Sequence, residues 1–133
     1  MPYLSFHVSQ DVSPSQAQAV ADTLTELTAT LLGKKRELTA VEITCATAGR
    51  WYVGAQDVVS QSQVGFYLEI KVTEGTNTKG EKAQYIDAVF SAMAEIFGDV
   101  APASYIVIHE VHADAWGYAG QTQEYRYIRG KSL

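Results

Sequence analysis

Pro2 stands directly behind the initiator Met1. Proline is the one residue type whose α-amino group is a secondary amine, so removal of Met1 would leave such an amine at the chain terminus. A small residue in second place permits that removal. An ordinary α-amino group titrates at roughly 7.7–8.0. Burial in an apolar pocket, or a nearby cation, penalises the ammonium form and lowers that value. The neutral amine is then a base near neutral pH, and its conjugate acid a proton donor. One group can take a proton from a carbon or oxygen and return it at another position. If Met1 stayed, the same nitrogen would be a tertiary amide without basicity. The plainer alternative is a proline that merely opens a β-strand, where proline is tolerated.

Little else in the chain offers chemistry. There is no CxxC, HExxH, Walker-type loop or GxGxxG. His7, His109 and His112 are few and dispersed, which argues against a metal site, and no cofactor is expected. The single Cys45 has no intrachain disulfide partner, which fits a reducing compartment. It falls on an expected strand, where a cysteine is more often core than nucleophile. The 133 residues suit one domain, 47% hydrophobic and 19% charged. A formal net charge of -5 argues against a nucleic-acid partner held by phosphate contacts. No apolar run reaches the length of a membrane span, and the N-terminus lacks a signal-type core, so a cytoplasmic location is the expectation.

The elements that must position Pro2 are written twice. Tyr3-Leu4-Ser5-Phe6-His7-Val8 and Tyr67-Leu68-Glu69-Ile70-Lys71-Val72 both alternate apolar and polar residues, as strands do. Each leads to a helix with a capping box, Ser13 with Gln16 and Thr78 with Glu81. Pro14 takes the first helical position. Ala17, Val20, Ala21, Leu24, Leu27 and Leu31 recur at helical spacing, as do Ala83, Ile86, Val89, Phe90, Met93 and Phe97. Gly33 and Gly98 stop the helices. A second strand follows in each half, Val41–Cys45 and Ile106–Glu110. An aromatic-glycine tail comes next: Arg50-Trp51-Tyr52-Val53-Gly54-Ala55, then Ala115-Trp116-Gly117-Tyr118-Ala119-Gly120.

A strand, a helix and a strand make a right-handed βαβ unit. The expected fold is therefore α/β (α+β), a single domain over 1–133 made of two βαβ halves, about 2–55 and 66–120, with a C-terminal tail. Residues 56–65 are read as the linker. The halves would form a four-stranded mixed sheet with two helices on one face. Tyr3, Ser5, His7, Glu42, Thr44, Tyr67, Glu69, Lys71 and His109 would occupy the other face. An open sheet face with two edges invites self-association.

A proline behind the initiator Met, a tandem βαβ repeat and a Trp-Gly tail together resemble the tautomerase superfamily over nearly the whole chain. Its members include 4-oxalocrotonate tautomerase, macrophage migration inhibitory factor, malonate semialdehyde decarboxylase and cis-3-chloroacrylic acid dehalogenase. Pro2 through Asp11 is similar to the opening of the dehalogenase. Gly33-Lys34-Lys35-Arg36-Glu37-Leu38-Thr39-Ala40-Val41 is similar to the helix-to-strand connection of the inhibitory factor. Ala113 through Gly120 is similar to the tail of the decarboxylase. The resemblance implies a homotrimer with a proline pocket near each subunit boundary, working on a small carboxylated molecule without a cofactor. Phe66 matches Pro2 in the second half, so one site per chain is expected.

The resemblance also implies roles for other residues. Lys34 would hold a substrate carboxylate or polarise a carbonyl, although a lysine in that place also suits the end of a helix dipole. Arg36 could substitute for it. Tyr105 occupies the position of an active-site tyrosine and could donate a hydrogen bond to an enolate oxygen; packing between subunits is its alternative. Trp116 and Tyr118 would wall the Pro2 amine from water or pack between subunits. Trp51 and Tyr52 fit an interface, Arg50 is an outside candidate for anion binding, and His7 reads as structural.

The departures from the family bear on the reaction. The arginines of the short tautomerases are replaced by Val12 and Ala40, and by Thr76 and Tyr105 in the second half. Where the dehalogenase carries a histidine, two arginines and an acid, this chain has Thr28, the stretch Thr73-Glu74-Gly75-Thr76, and Tyr118. Keto–enol tautomerisation of a small carboxylated keto compound is therefore the expected activity. A decarboxylase, hydratase or dehalogenase using protonated Pro2, and a non-catalytic trimeric binding protein, are the alternatives.

Overall fold

A computed structural model describes residues 1–131. Its central sheet has four strands: β1 (Tyr3–Val8), β2 (Ala40–Cys45), β5 (Phe66–Thr73) and β6 (Tyr105–Val111). Between β2 and β5 runs a two-stranded ribbon, β3 (Tyr52–Val53) and β4 (Gln56–Asp57). After β6 comes a matching ribbon, β7 (Gly117–Tyr118) and β8 (Gln121–Thr122). Helices α1 (Pro14–Leu32) and α2 (Lys79–Phe97) cross from first to second strand in each half, and a short α3 (Gln123–Arg129) closes the described chain.

The sheet order is β2-β1-β5-β6. Each half pairs its own strands in parallel, and β1 meets β5 antiparallel at the centre, with Ser5 opposite Glu69. The expected mixed sheet of two βαβ halves is therefore the observed one. Leu4, Phe6, Val8, Leu68, Ile70 and Val72 point to the helices and are fully buried, since side chains alternate along a strand. The other face carries polar groups that satisfy one another. Tyr3 Oη donates to Glu42 at 2.6 Å, and Tyr67 Oη to Glu69 at 3.1 Å.

Both capping boxes form as read. Ser13 Oγ accepts from the Gln16 amide and Thr78 Oγ1 from that of Glu81, each reciprocated by the Gln or Glu side chain. Such caps are worth about 1 kcal/mol each. Two details of the sequence reading change. The buried stripe of α2 runs through Tyr85, Val89 and Met93, while Ile86 turns outward and is 39% exposed. Tyr85 is inside because its hydroxyl finds Thr28 Oγ1 of α1 at 2.9 Å, and burial pushes its phenol up to about 12. Second, part of the supposed linker is ordered structure: β4 lies within it, Val58 is buried, and Val64 bridges to Val100. Among the described residues, no helix is long and apolar enough to cross a membrane.

Candidate active site

Pro2 lies buried just before β1, and its carbonyl accepts from the Ala40 amide at 3.3 Å, which ties it to the start of β2. Met1, one residue out, is half-buried. Its carbonyl accepts a hydrogen bond from Trp116 Nε1 at 2.9 Å. The tail tryptophan therefore touches the acyl group carried by the Pro2 nitrogen. Burial holds the Met1 ammonium below the usual range for an α-amino group, and the charges of Lys34 and Lys35 lower it further.

Lys34 follows Gly33, which ends α1 in the left-handed region at φ 69°. That cap turns the chain so that Lys34 Nζ donates to Thr76 Oγ1 at 2.7 Å, across to the loop before α2. Its pKa is lowered by burial, against the opposing pull of Glu81 and Glu110. Two adjoining clefts, of about 460 and 500 Å³, share Met1, Lys34, Thr76, Gln123 and Tyr127 as walls. Tyr118 borders the first of them.

Tyr118 is carried by the β7–β8 ribbon. Its two-residue turn, Ala119 and Gly120, has positive φ at both positions, as a tight hairpin of this kind requires. Gly117 has no room for a side chain, because a Cβ there would stand 2.3 Å from the Gln121 carbonyl oxygen. The Arg126 guanidinium lies over the Tyr118 ring at 3.8 Å and donates through Nη2 to the Tyr118 carbonyl at 3.0 Å.

The structure thus gathers Pro2, Lys34, Trp116 and Tyr118 at one end of the sheet. It does not bring Tyr105 to them within one chain. The row across the strands from Tyr3 leads through Lys71 to His109, whereas Tyr105 is level with Tyr67 and His7. Four residues of strand, about 13 Å, separate the two rows. Tyr105 is 66% exposed and shares a cleft of about 300 Å³ with Trp51, Tyr52 and Tyr67 at the opposite end. Arg36 is occupied by an ion pair with Glu26. Arg50 donates to the Gly49 carbonyl, and His7 pairs with Ser5 on the open sheet face. Cys45 packs half-buried against the core. Among the described residues no three His, Cys, Asp or Glu side chains cluster as metal ligands.

Sequence reasoning missed the contribution of α3. Gln123, Arg126 and Tyr127 all border the Met1 cleft. The signals were present: Thr122 caps the helix by accepting from the Tyr125 amide at 3.0 Å, and Gly130 follows its last turn. They were passed over because α3 buries none of its residues and so has no apolar stripe.

The chain can be set beside known proteins. Residues 67–125 match the family model described as tautomerase enzyme. No curated protein matches the sequence. Solved structures match the whole fold at low identity. The Pt0534 protein, crystallised after inactivation by 2-oxo-3-pentynoate, superposes with a TM-score of 0.82 at 14% identity, covering 97% of this chain and 99% of that one. A fused 4-OT that forms a symmetric trimer gives 0.80 at 16% identity, with the same coverage. A macrophage migration inhibitory factor-like protein from Entamoeba histolytica gives 0.74 at 19% identity, covering 91% of this chain and 97% of its own. At these identities the structural likeness speaks for the fold, and the family model speaks for the second half. The second half thus matches the tautomerase family model, and the whole chain shares the fold of these solved structures.

Proposed function

We propose that the protein is a cofactor-independent keto–enol tautomerase of a small carboxylated keto compound, with the Pro2 amine as its proton carrier once Met1 is removed. The observation that carries this reading is the setting of Pro2: buried directly behind Met1, which lines two clefts together with Lys34. Loss of Met1 would merge the clefts and free the nitrogen. Burial and the two lysines that depress the Met1 ammonium would act on a Pro2 ammonium in the same direction. The neutral amine would take the proton from the carbon beside the carbonyl, and the resulting ammonium would return it to oxygen. The reverse sequence gives the keto form. Trp116 and Tyr118 wall the site, and Lys34 draws the substrate's negative charge.

Two further elements rest on the relatives. The fused 4-OT forms a trimer, and the described residues leave one sheet face uncovered. A homotrimer fits both, and in it the exposed Tyr105 with Tyr52 would border a neighbour's site. Pt0534 is inactivated by 2-oxo-3-pentynoate. The same reagent should add to a free Pro2 amine here by attack of nitrogen on the alkyne, with no atom lost.

The deciding experiment is enolisation of phenylpyruvate by protein whose mass verifies a free Pro2, compared with Pro2→Ala. A loss of about 10²–10⁴-fold in kcat/KM is expected. Equal rates would remove Pro2 from the mechanism. Retained Met1 in chain purified from its own host would favour the non-catalytic binding protein.

A further inference from the structure

Walling the site uses only the apolar face of Trp116 and leaves its N–H without a task. Met1 acylates the Pro2 nitrogen, and its carbonyl oxygen accepts from Trp116 Nε1 at 2.9 Å. Across a peptide bond that oxygen lies about 2.2 Å from the nitrogen. The indole nitrogen therefore stands within about 5 Å of the Pro2 nitrogen. Once Met1 is removed, the space of its acyl group joins the cleft. The Met1 oxygen is then a stand-in for the carbonyl oxygen of a keto compound bound there. The distances suit one such group. A carbon that yields its proton to the amine stands about 3–3.5 Å from it. Its carbonyl oxygen is two bonds further on, about 2.4 Å away, and within reach of the indole.

Trp116 is held in place without help from Met1. A single turn at Ala113–Ala115 leads from β6 to the tryptophan, closed by the Ala115 amide on the His112 carbonyl at 2.9 Å. Beyond it, the Trp116 carbonyl accepts from the Gln123 amide at 2.7 Å, as the Trp51 carbonyl accepts from that of Val58 at 3.1 Å in the first half. The two tryptophans thus share a backbone setting, but the carbonyls ahead of the strands differ. That of Gly65 accepts from the Ser9 amide at 2.9 Å, whereas that of Met1 accepts from the Trp116 side chain. Loss of Met1 therefore takes the acceptor from a half-buried N–H, and a donor in such a place favours a new one. Lys34 Nζ already donates to Thr76 Oγ1 at 2.7 Å, and Tyr105 stands at the far end of its own chain.

We propose that Trp116 is a catalytic residue, its indole N–H donating to the substrate carbonyl and holding the enolate oxygen as charge develops there. This rests on the reading of Pro2 as the proton carrier. The neutral amine takes the proton from carbon, the C–H electron pair becomes the new C=C bond, and the carbonyl π pair moves onto oxygen. The indole is a donor only, so its hydrogen bond strengthens as that oxygen gains charge. One lone pair of the oxygen faces Trp116, and another takes the proton back from the Pro2 ammonium. Because the donor is uncharged, it stabilises the enolate without depressing the amine's pKa as another cation would.

The test uses the full chain with Met1 removed, verified by mass. Trp116→Phe keeps an aromatic ring and deletes the N–H. With phenylpyruvate, kcat should fall about 10²-fold, as for loss of one oxyanion donor, while KM changes less than about threefold. The rising limb of the pH profile should stay in place. Replacing the indole by benzothiophene, where sulfur takes the place of N–H at nearly the same shape, should give the same loss and decides the matter if Trp116→Phe does not fold. A second readout needs no turnover. The chain has two tryptophans, so Trp116→Phe or the benzothiophene variant assigns their indole proton signals. Benzoylformate, which has a 2-oxo group and no proton to enolise, should move the Trp116 signal downfield in trimmed protein and not in protein that keeps Met1. The proposal is overturned if the variants keep wild-type kcat, if their loss lies in KM instead, the mark of a wall, or if benzoylformate leaves the Trp116 signal where it was. The two readings fail separately: phenylpyruvate turnover undiminished in Pro2→Ala sinks the proton carrier, whereas the benzoylformate shift and the kcat loss in the Trp116 variants would still stand.

Discussion

The two ends of this molecule are built alike and equipped differently. In each half a ribbon follows the second strand, and its tryptophan reaches a residue one or two places before the first strand of the other half. Trp51 packs so closely on Gly65 that a Cβ there would stand 2.5 Å from its Nε1. Trp116 Nε1 bonds to the carbonyl of Met1. Beyond that, the ends diverge. At one, the chain runs on without a break through Gly65 into Phe66, Val58 fills the gap, and Asp99 stands where the other half has Lys34. At the other the chain begins, Lys34 raises the local potential, and α3 brings Gln123 and Arg126 to the cleft. In the reading proposed above, the active site is a duplicated end in which a free amine stands in place of a peptide bond, a lysine in place of an acid and a glutamine in place of an apolar plug.

The comparison can be broken most forcefully at the terminus. An N-terminal extension that keeps the Pro2 nitrogen acylated makes this end resemble the Gly65–Phe66 end. Enolisation should then fall by about 10³-fold or more, read as kcat/KM on mass-verified protein.

Next comes the charge. Lys34→Asp copies the Asp99 end and should raise KM for a 2-oxo acid by about 10–100-fold. It also shifts the pH profile. A Pro2 amine acting as base is active when neutral, so activity rises through its pKa. Burial and the lysines depress that pKa; removing one lysine lets it climb, and the rising limb should move to higher pH. A limb that stays in place would show that Lys34 does not act on the amine.

Smaller effects compare the two ribbons. Gly117→Ala forces a Cβ against the Gln121 carbonyl and displaces Tyr118. Both melting temperature and kcat/KM should drop, with a stability loss of about 1–3 kcal/mol. Gly65→Ala meets Trp51 just as closely. It should cost similar stability but lower kcat/KM less than Gly117→Ala does, since in the proposed trimer that end only borders a neighbour's site.

The smallest change lies between the halves. Tyr85→Phe strands the buried Thr28 hydroxyl and should cost about 1–2 kcal/mol in denaturant unfolding. The pair Thr28→Val with Tyr85→Phe should recover much of that.

Much of the frame was legible in the sequence because it rests on short-range rules. Alternation marked both sheet faces from Tyr3 to Val8 and from Tyr67 to Val72, and Ser13 and Thr78 announced both helices. Tyr85 was not legible, because its burial depends on Thr28, 57 residues away. The site was legible only in part. Pro2 stood out by residue type, Lys34, Trp116 and Tyr118 through the resemblance, and the fold gathers them. Tyr105 was assigned from a resemblance in strand position, and the register sets it at the far end of its own chain. The α3 residues escaped notice because a seven-residue helix with no buried side chain leaves no periodic trace.

The bond between Trp116 and the Met1 carbonyl has a consequence for biosynthesis. A processing peptidase must draw Met1 and the first residues into its own cleft as an extended strand, which the docked terminus cannot offer. Trp116 leaves the ribosome more than a hundred residues after Met1. The interval before it arrives is the window in which the terminus is accessible, so the trimming that the proposed function requires would belong to translation.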